Sequence, residues 1–421
     1  MMTPKLFRSA LCALAAFAGS QASSATPGSA RLTIGAPRHL APVVWGVDAK
    51  LTAKGWAENP AATDVARRLF VDGGFTVFRL PIYAMRPVSD PLYAKIAGLA
   101  RQIRAANPGV LLFASVANGD GDQNNWLHGA EKFPADMKGG KGIYDLNLDR
   151  YAAYLDDYLR MMQAADARID WLGAFNEDPA KAADLQHLWR TMTRLEGVRR
   201  IGVESMALRA STTNAPPLTP LVDIVGSHFY DDDEGKKMIP RAEWESAWVQ
   251  LVASAGGKPV WFTEATDYRE FDHDRIDDLL DGLARLVPAL NAGIDGVVLY
   301  QAVPRIVNYD NTVAAKKWSG LEAFIQSTAH SARLASTCAA PDTFCALVCR
   351  GRNGLELHLV NSGAEPLELS LALSPAPTLG ARAAIRRWDA QTNGATDSVA
   401  LGAEPTLTVP ARSYLAVRFD P

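Results

Sequence analysis

Two glutamates stand where acid–base chemistry could be done. Glu177 lies in Ala174-Phe175-Asn176-Glu177-Asp178-Pro179, and Glu264 in Pro259-Val260-Trp261-Phe262-Thr263-Glu264-Ala265. Each closes a short apolar run and precedes a stretch of helical pattern. Paired carboxylates in such places suit the cleavage of a glycosidic bond. One attacks the anomeric carbon; the other protonates the departing oxygen and then activates water. Asn176, beside Glu177, could bond the 2-hydroxyl of the sugar. Either glutamate alone is weak, since a glutamate ending a strand is often an ion-pair partner or the first residue of a helix. Their joint placement carries the reading.

The elements that must position them recur along the chain. Apolar, β-rich runs cover residues 43–47, 76–80, 110–116, 171–175, 200–203, 222–229, 260–263 and 296–300. Helical periods lie between them, as at 151–162 and 276–290. Eight alternating units predict a (β/α)8 TIM barrel over residues 31–327, with its working residues at the C-terminal ends of the strands. The glutamates end the fourth and seventh runs, across the barrel mouth from each other. A doubly wound open sheet is the alternative, but the Gly-rich phosphate loop it would bring after an early strand is missing. After about Ser327 the helical period gives way to short alternating strands, with Asn353-Gly354 and Asn393-Gly394 as hairpin turns. Residues 328–421 therefore read as a C-terminal all-β sandwich, to which residues 31–34 could add a strand.

The 421 residues have a formal net charge of -3, 48% hydrophobic and 21% charged side chains, ordinary values for a globular protein. The charge gives no reason to invoke nucleic acid. Residues 1–25 read as a secretory signal: Lys5 and Arg8, then an apolar core at 11–17, then small residues with cleavage after Ala22 or Ala25. That core is too short for a membrane span, so a secreted or periplasmic protein is expected. An exported compartment permits a disulfide. Cys345 and Cys349, four apart on one apparent strand, would lie about 13 Å apart, beyond reach of each other. Cys338 would then partner one of them, and a turn at Pro341-Asp342 favours Cys345.

Several segments extend the pattern. Gly73-Gly74-Phe75-Thr76-Val77-Phe78-Arg79-Leu80-Pro81-Ile82, Val222-Asp223-Ile224-Val225-Gly226-Ser227-His228-Phe229-Tyr230 and Lys258-Pro259-Val260-Trp261-Phe262-Thr263-Glu264 resemble the second, sixth and seventh strands of clan A glycoside hydrolases, the 4/7 barrel superfamily, and of glycoside hydrolase family 30 within it. The tail from Leu355 to Phe419 resembles the sandwich that accompanies those barrels. The resemblance spans most of the chain after the signal. It implies a retaining hydrolase of a β-linked glycan, with Glu177 as acid/base, Glu264 as nucleophile and Arg79 supporting Glu264. The chain departs from the family pattern at Asp178, which intervenes where Asn-Glu-Pro is usual. It departs again at Ala114-Ser115-Val116-Ala117-Asn118-Gly119, without the Trp and Pro residues common there, and at Tyr300-Gln301, where a Trp is usual.

Arg79 has its own logic, because a cation beside Glu264 would keep a nucleophile ionised. Tyr230 could hydrogen-bond the nucleophile; His228 is either a site residue or a satisfied core histidine. Trp45, Tyr300, Trp126 and Tyr83 are candidates for stacking on sugar rings, Trp45 and Tyr300 first among them. Asp231-Asp232-Asp233-Glu234 could bind a cation but reads better as a solvated loop. Arg305 could grip an acidic substituent but reads better as a surface charge. No metal or organic cofactor is expected. The partner is a polysaccharide or oligosaccharide. A carbohydrate-binding barrel without turnover is the rival, and a metal-dependent hydrolase would need more His and Asp at strand ends than this chain offers.

Overall fold

A computed structural model describes residues 28–39, 41–122, 127–230, 239–266, 268, 274–352, 354–373, 382–402 and 405–419. The chain opens with β1 (Gly28–His39) and then builds a closed parallel barrel of eight strands: β2 (Val44–Asp48), β3 (Val77–Ile82), β4 (Leu111–Val116), β5 (Trp171–Gly173), β6 (Arg199–Ser205), β7 (Ile224–His228), β8 (Val260–Ala265) and β9 (Gly296–Leu299). β9 pairs back onto β2. Helices fill the intervals and bury the outer faces of the strands, as parallel strands joined by crossovers require.

Strand alternation decides which side chains face the barrel axis. Val77, Phe113, Trp171, Ile201, Ile224, Trp261 and Val298 form a separate apolar plug inside it, with Trp171 and Trp261 edge to face at 4.5 Å. Gly296 makes room for this plug, since a Cβ there would meet the Trp261 ring at 2.6 Å. Nearer the mouth, Arg79, Ser115 and His228 occupy the same inward parity. The plug thus floors a polar cage.

The other strands are β10 (Ala332–Ala339), β11 (Phe344–Gly351), β12 (Gly354–Asn361), β13 (Leu367–Leu373), β14 (Arg382–Trp388), β15 (Asn393–Ala400), β16 (Thr406–Val409) and β17 (Ser413–Phe419). With β1 they make one mixed sheet in the order β15-β14-β17-β12-β11-β10-β1-β13-β16. Strands from opposite ends of that order share a core, in which Ala383 and Val417 join Leu407 and Val409, so the sheet closes on itself as a sandwich. β1 runs parallel to β13 and antiparallel to β10, which realises the added strand expected near Arg31.

The expected bridge between Cys338 and Cys345 is corrected: Cys338, Cys345 and Cys349 are all free thiols. The reason is register. β10 meets β11 only at Ala332–Arg350 and Arg333–Cys349. Farther along, β10 pairs with β1 and puts Cys338 opposite Leu32, while Cys345 lies opposite Val360 of β12.

Candidate active site

Arg79 is the hub. The guanidinium, fully buried and borne by the middle of β3, donates from Nη1 to Asp48 Oδ2 (2.9 Å), the Thr263 carbonyl (2.9 Å) and Glu264 Oε1 (2.8 Å). Its Nη2 donates to Ser115 Oγ (3.0 Å), Asn176 Oδ1 (2.7 Å) and Glu204 Oε2 (2.6 Å). The planar fork suits this task, because it serves several oxygens at once without losing charge. Burial works against that charge, but Glu204, Asp48 and Glu264 more than restore it.

Glu264 is aimed by a bulge. The β7–β8 ladder slips between Ser227–Phe262 and His228–Glu264, and the β8–β9 ladder slips between Phe262–Val297 and Ala265–Leu299. The slip lets Thr263 and Glu264 both contribute to the interior: Thr263 Oγ1 donates to Glu204, while Glu264 enters the mouth. Glu264 Oε1 receives Arg79 and the Lys50 ammonium; Oε2 receives the Tyr230 hydroxyl at 3.0 Å. Burial opposes its ionisation, yet His228, Lys50 and Arg79 hold the carboxyl far below the usual range. Tyr230 is pushed the other way by burial and by Glu264, so its phenol stays protonated as a donor.

Glu177 follows β5 and takes left-handed backbone, φ 60°, with its N–H bonded to the Glu204 carbonyl at 2.8 Å. A non-glycine residue held there is strained by about 1 kcal/mol or more, a cost that clusters at functional sites. Asn118 Nδ2 donates to Glu177 Oε2 at 2.6 Å, and His228 Nδ1 lies 3.0 Å from Oε1. His228 Nε2 lies 3.4 Å from Glu264 Oε1 and 3.7 Å from Glu204 Oε2. Burial disfavours its charge, but Glu264, Glu177 and Glu204 together push the imidazole up to about 9. That imidazolium in turn overrides burial to hold Glu177 below its ordinary value. One oxygen of each glutamate and one nitrogen of His228 lie within 4.8 Å of one another. A metal ion could bridge such a set, but Glu264 Oε1 is already taken by two cationic side chains, so the donor set fits a metal poorly.

The cavity over these groups holds about 210 Å³ and is lined by Lys50, Asn118, Glu177, Tyr230, Glu264 and Tyr300 among others. A larger open groove of about 810 Å³ lies beside the sheet, near His330, Arg352, Glu356 and Arg418. It has no comparable convergence of titratable groups, so chemistry rather than size marks the site.

Arg79, Asn176, Glu177, His228, Tyr230, Glu264 and Tyr300, expected from sequence, meet at one mouth. Trp45 does not, and is corrected. Gly46 and Asp48 take the inward parity of β2, which turns Trp45 outward. There its indole donates to Thr328 Oγ1 at 3.1 Å and meets Phe324 edge to face. Tyr83 is likewise buried, its hydroxyl donating to the Lys50 carbonyl. Trp126 and the acidic run at 231–234 lie outside the described residues. Arg305 sits over the Tyr300 ring at 5.6 Å. Sequence reasoning missed Asp48, Lys50, Asn118, Lys132, Asp178 and Glu204. Asp48 and Lys50 had a signal: two charges directly after an apolar strand.

No family model and no curated protein matches the chain in sequence. In fold, solved structures match over nearly its whole length. A glycoside hydrolase family 30 subfamily 8 xylanase from Clostridium acetobutylicum superposes with a TM-score of 0.66 at 16% identity, over 93% of this chain and 100% of that one. A family 30 endoxylanase from Clostridium papyrosolvens gives 0.64 at 14%, over 94% and 100%. An endo-β1,6-glucanase gives 0.58 at 12%, over 95% and 94%. The fold is therefore the barrel-plus-sandwich of glycoside hydrolases such as family 30.

Proposed function

We propose that the protein is an exported, retaining glycoside hydrolase of a β-linked polysaccharide or oligosaccharide, with Glu264 as nucleophile and Glu177 as acid/base. The observation that carries this reading is the unequal pair of carboxylates at the ends of β5 and β8. Their nearest oxygens are within 4.8 Å, close to the separation of about 5–5.5 Å used for double displacement and short of the 6.5–9.5 Å that admits a water between them. Glu264 is clasped by Arg79 and Lys50, which suits a group that must stay ionised to attack. Glu264 Oε2 attacks the anomeric carbon as the bond to the leaving oxygen breaks. The Glu177–His228 pair holds a proton at neutral pH, and Glu177 passes it to that oxygen. Water then enters, Glu177 takes its proton, and the ester to Glu264 is cleaved.

No metal or organic cofactor enters these steps. The matched xylanases and β1,6-glucanase differ in substrate on one fold, so the sugar is left to experiment. Export rests on the N-terminal sequence, which lies outside the described residues. The test is a panel of aryl β-glycosides with proton NMR of the first product, which should keep the β configuration. Glu264→Ala should regain turnover with azide and yield an inverted glycosyl azide. An inverted hydrolysis product would overturn the retaining mechanism. Glycan binding with no turnover of any glycoside would favour a barrel that only binds.

A further inference from the structure

The segment after Glu177 carries a charge that nothing above explains. Asp178 is 4% exposed and ion-paired to Lys132, Oδ2 to Nζ at 3.0 Å. Lys132, itself 1% exposed, comes from a short helical turn, Gly129–Lys132, in the connection after β4. A buried ion pair of this kind is costly, and apolar residues of similar volume often serve a fold as well or better. The other two bonds of this ammonium indicate a task. Nζ donates to Asn118 Oδ1 at 2.9 Å and to the Asn176 carbonyl at 2.8 Å, while the Asp178 carboxylate offsets its charge.

Asn118 is the link. Its Oδ1 receives Lys132 and Asn176 Nδ2 (3.2 Å), which leaves only Nδ2 to face Glu177 Oε2. We propose that the buried Lys132–Asp178 pair is a positioning device for Glu177, acting through the Asn118 amide, which it locks with the N–H toward the carboxylate. The proposal rests on the reading of Glu177 as the acid/base. It also accounts for the aspartate between Glu177 and Pro179, since Asp178 anchors the lysine.

A flipped Asn118 would set its carbonyl against Oε2. That repels a carboxylate but accepts a hydrogen bond from a protonated carboxyl. The lock therefore favours the ionised form of Glu177, which the water-activating step needs. Other titratable groups also face Glu177: His228 and Tyr230 from the end of β7, Glu264 from β8, Tyr300 after β9, Lys50 after β2, and Lys132 and Asp178 themselves. A single Lys132 substitution would mix lost charge with lost orientation. The Lys132→Met/Asp178→Asn double variant removes one charge of each sign, so any residual effect reports the amide.

The measurement is carbon-13 NMR titration of the Glu177 carboxyl, assigned by its loss in Glu177→Gln. The midpoint should rise by about one pH unit in the double variant and similarly in Asn118→Ala, and the triple variant should show no further rise. On an aryl glycoside with a good leaving group, the double variant should lower kcat more than kcat/KM, because such a substrate needs the base more than the acid. An unmoved midpoint in a folded double variant, an unmoved midpoint in Asn118→Ala, additive shifts in the triple, or equal falls in kcat and kcat/KM would each overturn the proposal. Should the double variant not fold, Lys132→Arg replaces it. It keeps the charge but not the three-way geometry, and an unmoved midpoint again overturns the proposal. The titration needs no substrate, so failure of the hydrolase reading would show separately, as absent turnover on the glycoside panel.

Discussion

Arg79 holds three carboxylates, Asp48, Glu204 and Glu264, none of which could remain ionised and buried alone. Arg79→Met should therefore do more than disarm Glu264. Removing one partner of a buried ionic network costs about 3–5 kcal/mol, and urea unfolding of the variant should show it. A variant as stable as the parent would mean the carboxylates find other partners. Arg79→Lys should also fail, since an ammonium cannot span the spread of acceptors served by the two Nη groups. His228 gives a pH-dependent counterpart. Its folded value, about 9, lies above the unfolded value of 6.5. The stability it contributes is thus fully present below pH 6.5 and is lost as pH rises through about 9. The amount is about 3 kcal/mol at most. Thermal unfolding from pH 6 to 10 should show the decline, and His228→Gln should remove that part of it. The same deprotonation empties the proton store of the Glu177–His228 pair, so turnover should fall over the same alkaline range.

Among the barrel strands, β6 and β8 carry the slips in register, and both face the site. The β6–β7 ladder slips between Val203–Gly226 and Ser205–Ser227, and Glu204 at that slip has φ 47°. Gly226 on the neighbouring strand leaves the space its carboxylate fills; a Cβ there would meet Glu204 Oε1 at 1.8 Å. Gly226→Ala should push Glu204 off Arg79, destabilise the protein by about 1–3 kcal/mol as an overpacked core does, and lower turnover by misplacing Arg79. Unchanged melting and activity would show that the cage yields without loss. These strands also mark the limit of sequence reasoning. The apolar runs announced eight strands and thereby the two glutamates at their ends. Regular alternation could not announce Glu204, because a bulge breaks the period, nor Lys132 and Asn118, which reach the site from a long connection. Trp45 misled for the opposite reason: it sits on a regular strand, where one step of parity separates a residue facing the axis from one under a helix.

The whole molecule is held together along a face shared by barrel and sandwich. Leu347, Cys349, Val360, Trp388, Tyr414 and Ala416 belong to the same apolar core as the barrel helices. His358 bridges that face, 2.9 Å from Ser327 Oγ and 2.8 Å from the Tyr414 hydroxyl, with burial pushing its imidazole down to about 3. Trp388 donates to Ser319 Oγ at 2.9 Å, and Arg333 Nη1 donates to the Ile294 carbonyl at 2.5 Å. Ending the chain after Thr328 should uncover this face and leave a barrel of reduced solubility and stability that retains every group assigned to bond making. Trp388→Ala should cost about 3–5 kcal/mol without altering KM. A truncated barrel of full stability would refute the packing; a folded one without turnover would refute the sandwich's non-catalytic role. β1 adds a consequence in time. Its neighbours in the sheet are β10 and β13, so the first described strand to leave the ribosome emerges roughly 300 residues ahead of them. At about 5–20 residues per second it waits some 15–60 s with Leu32 and Ile34 uncovered. Synthesis order and assembly order are thus opposed at the N-terminal end, where a nascent chain would gain most from being kept apart from its copies.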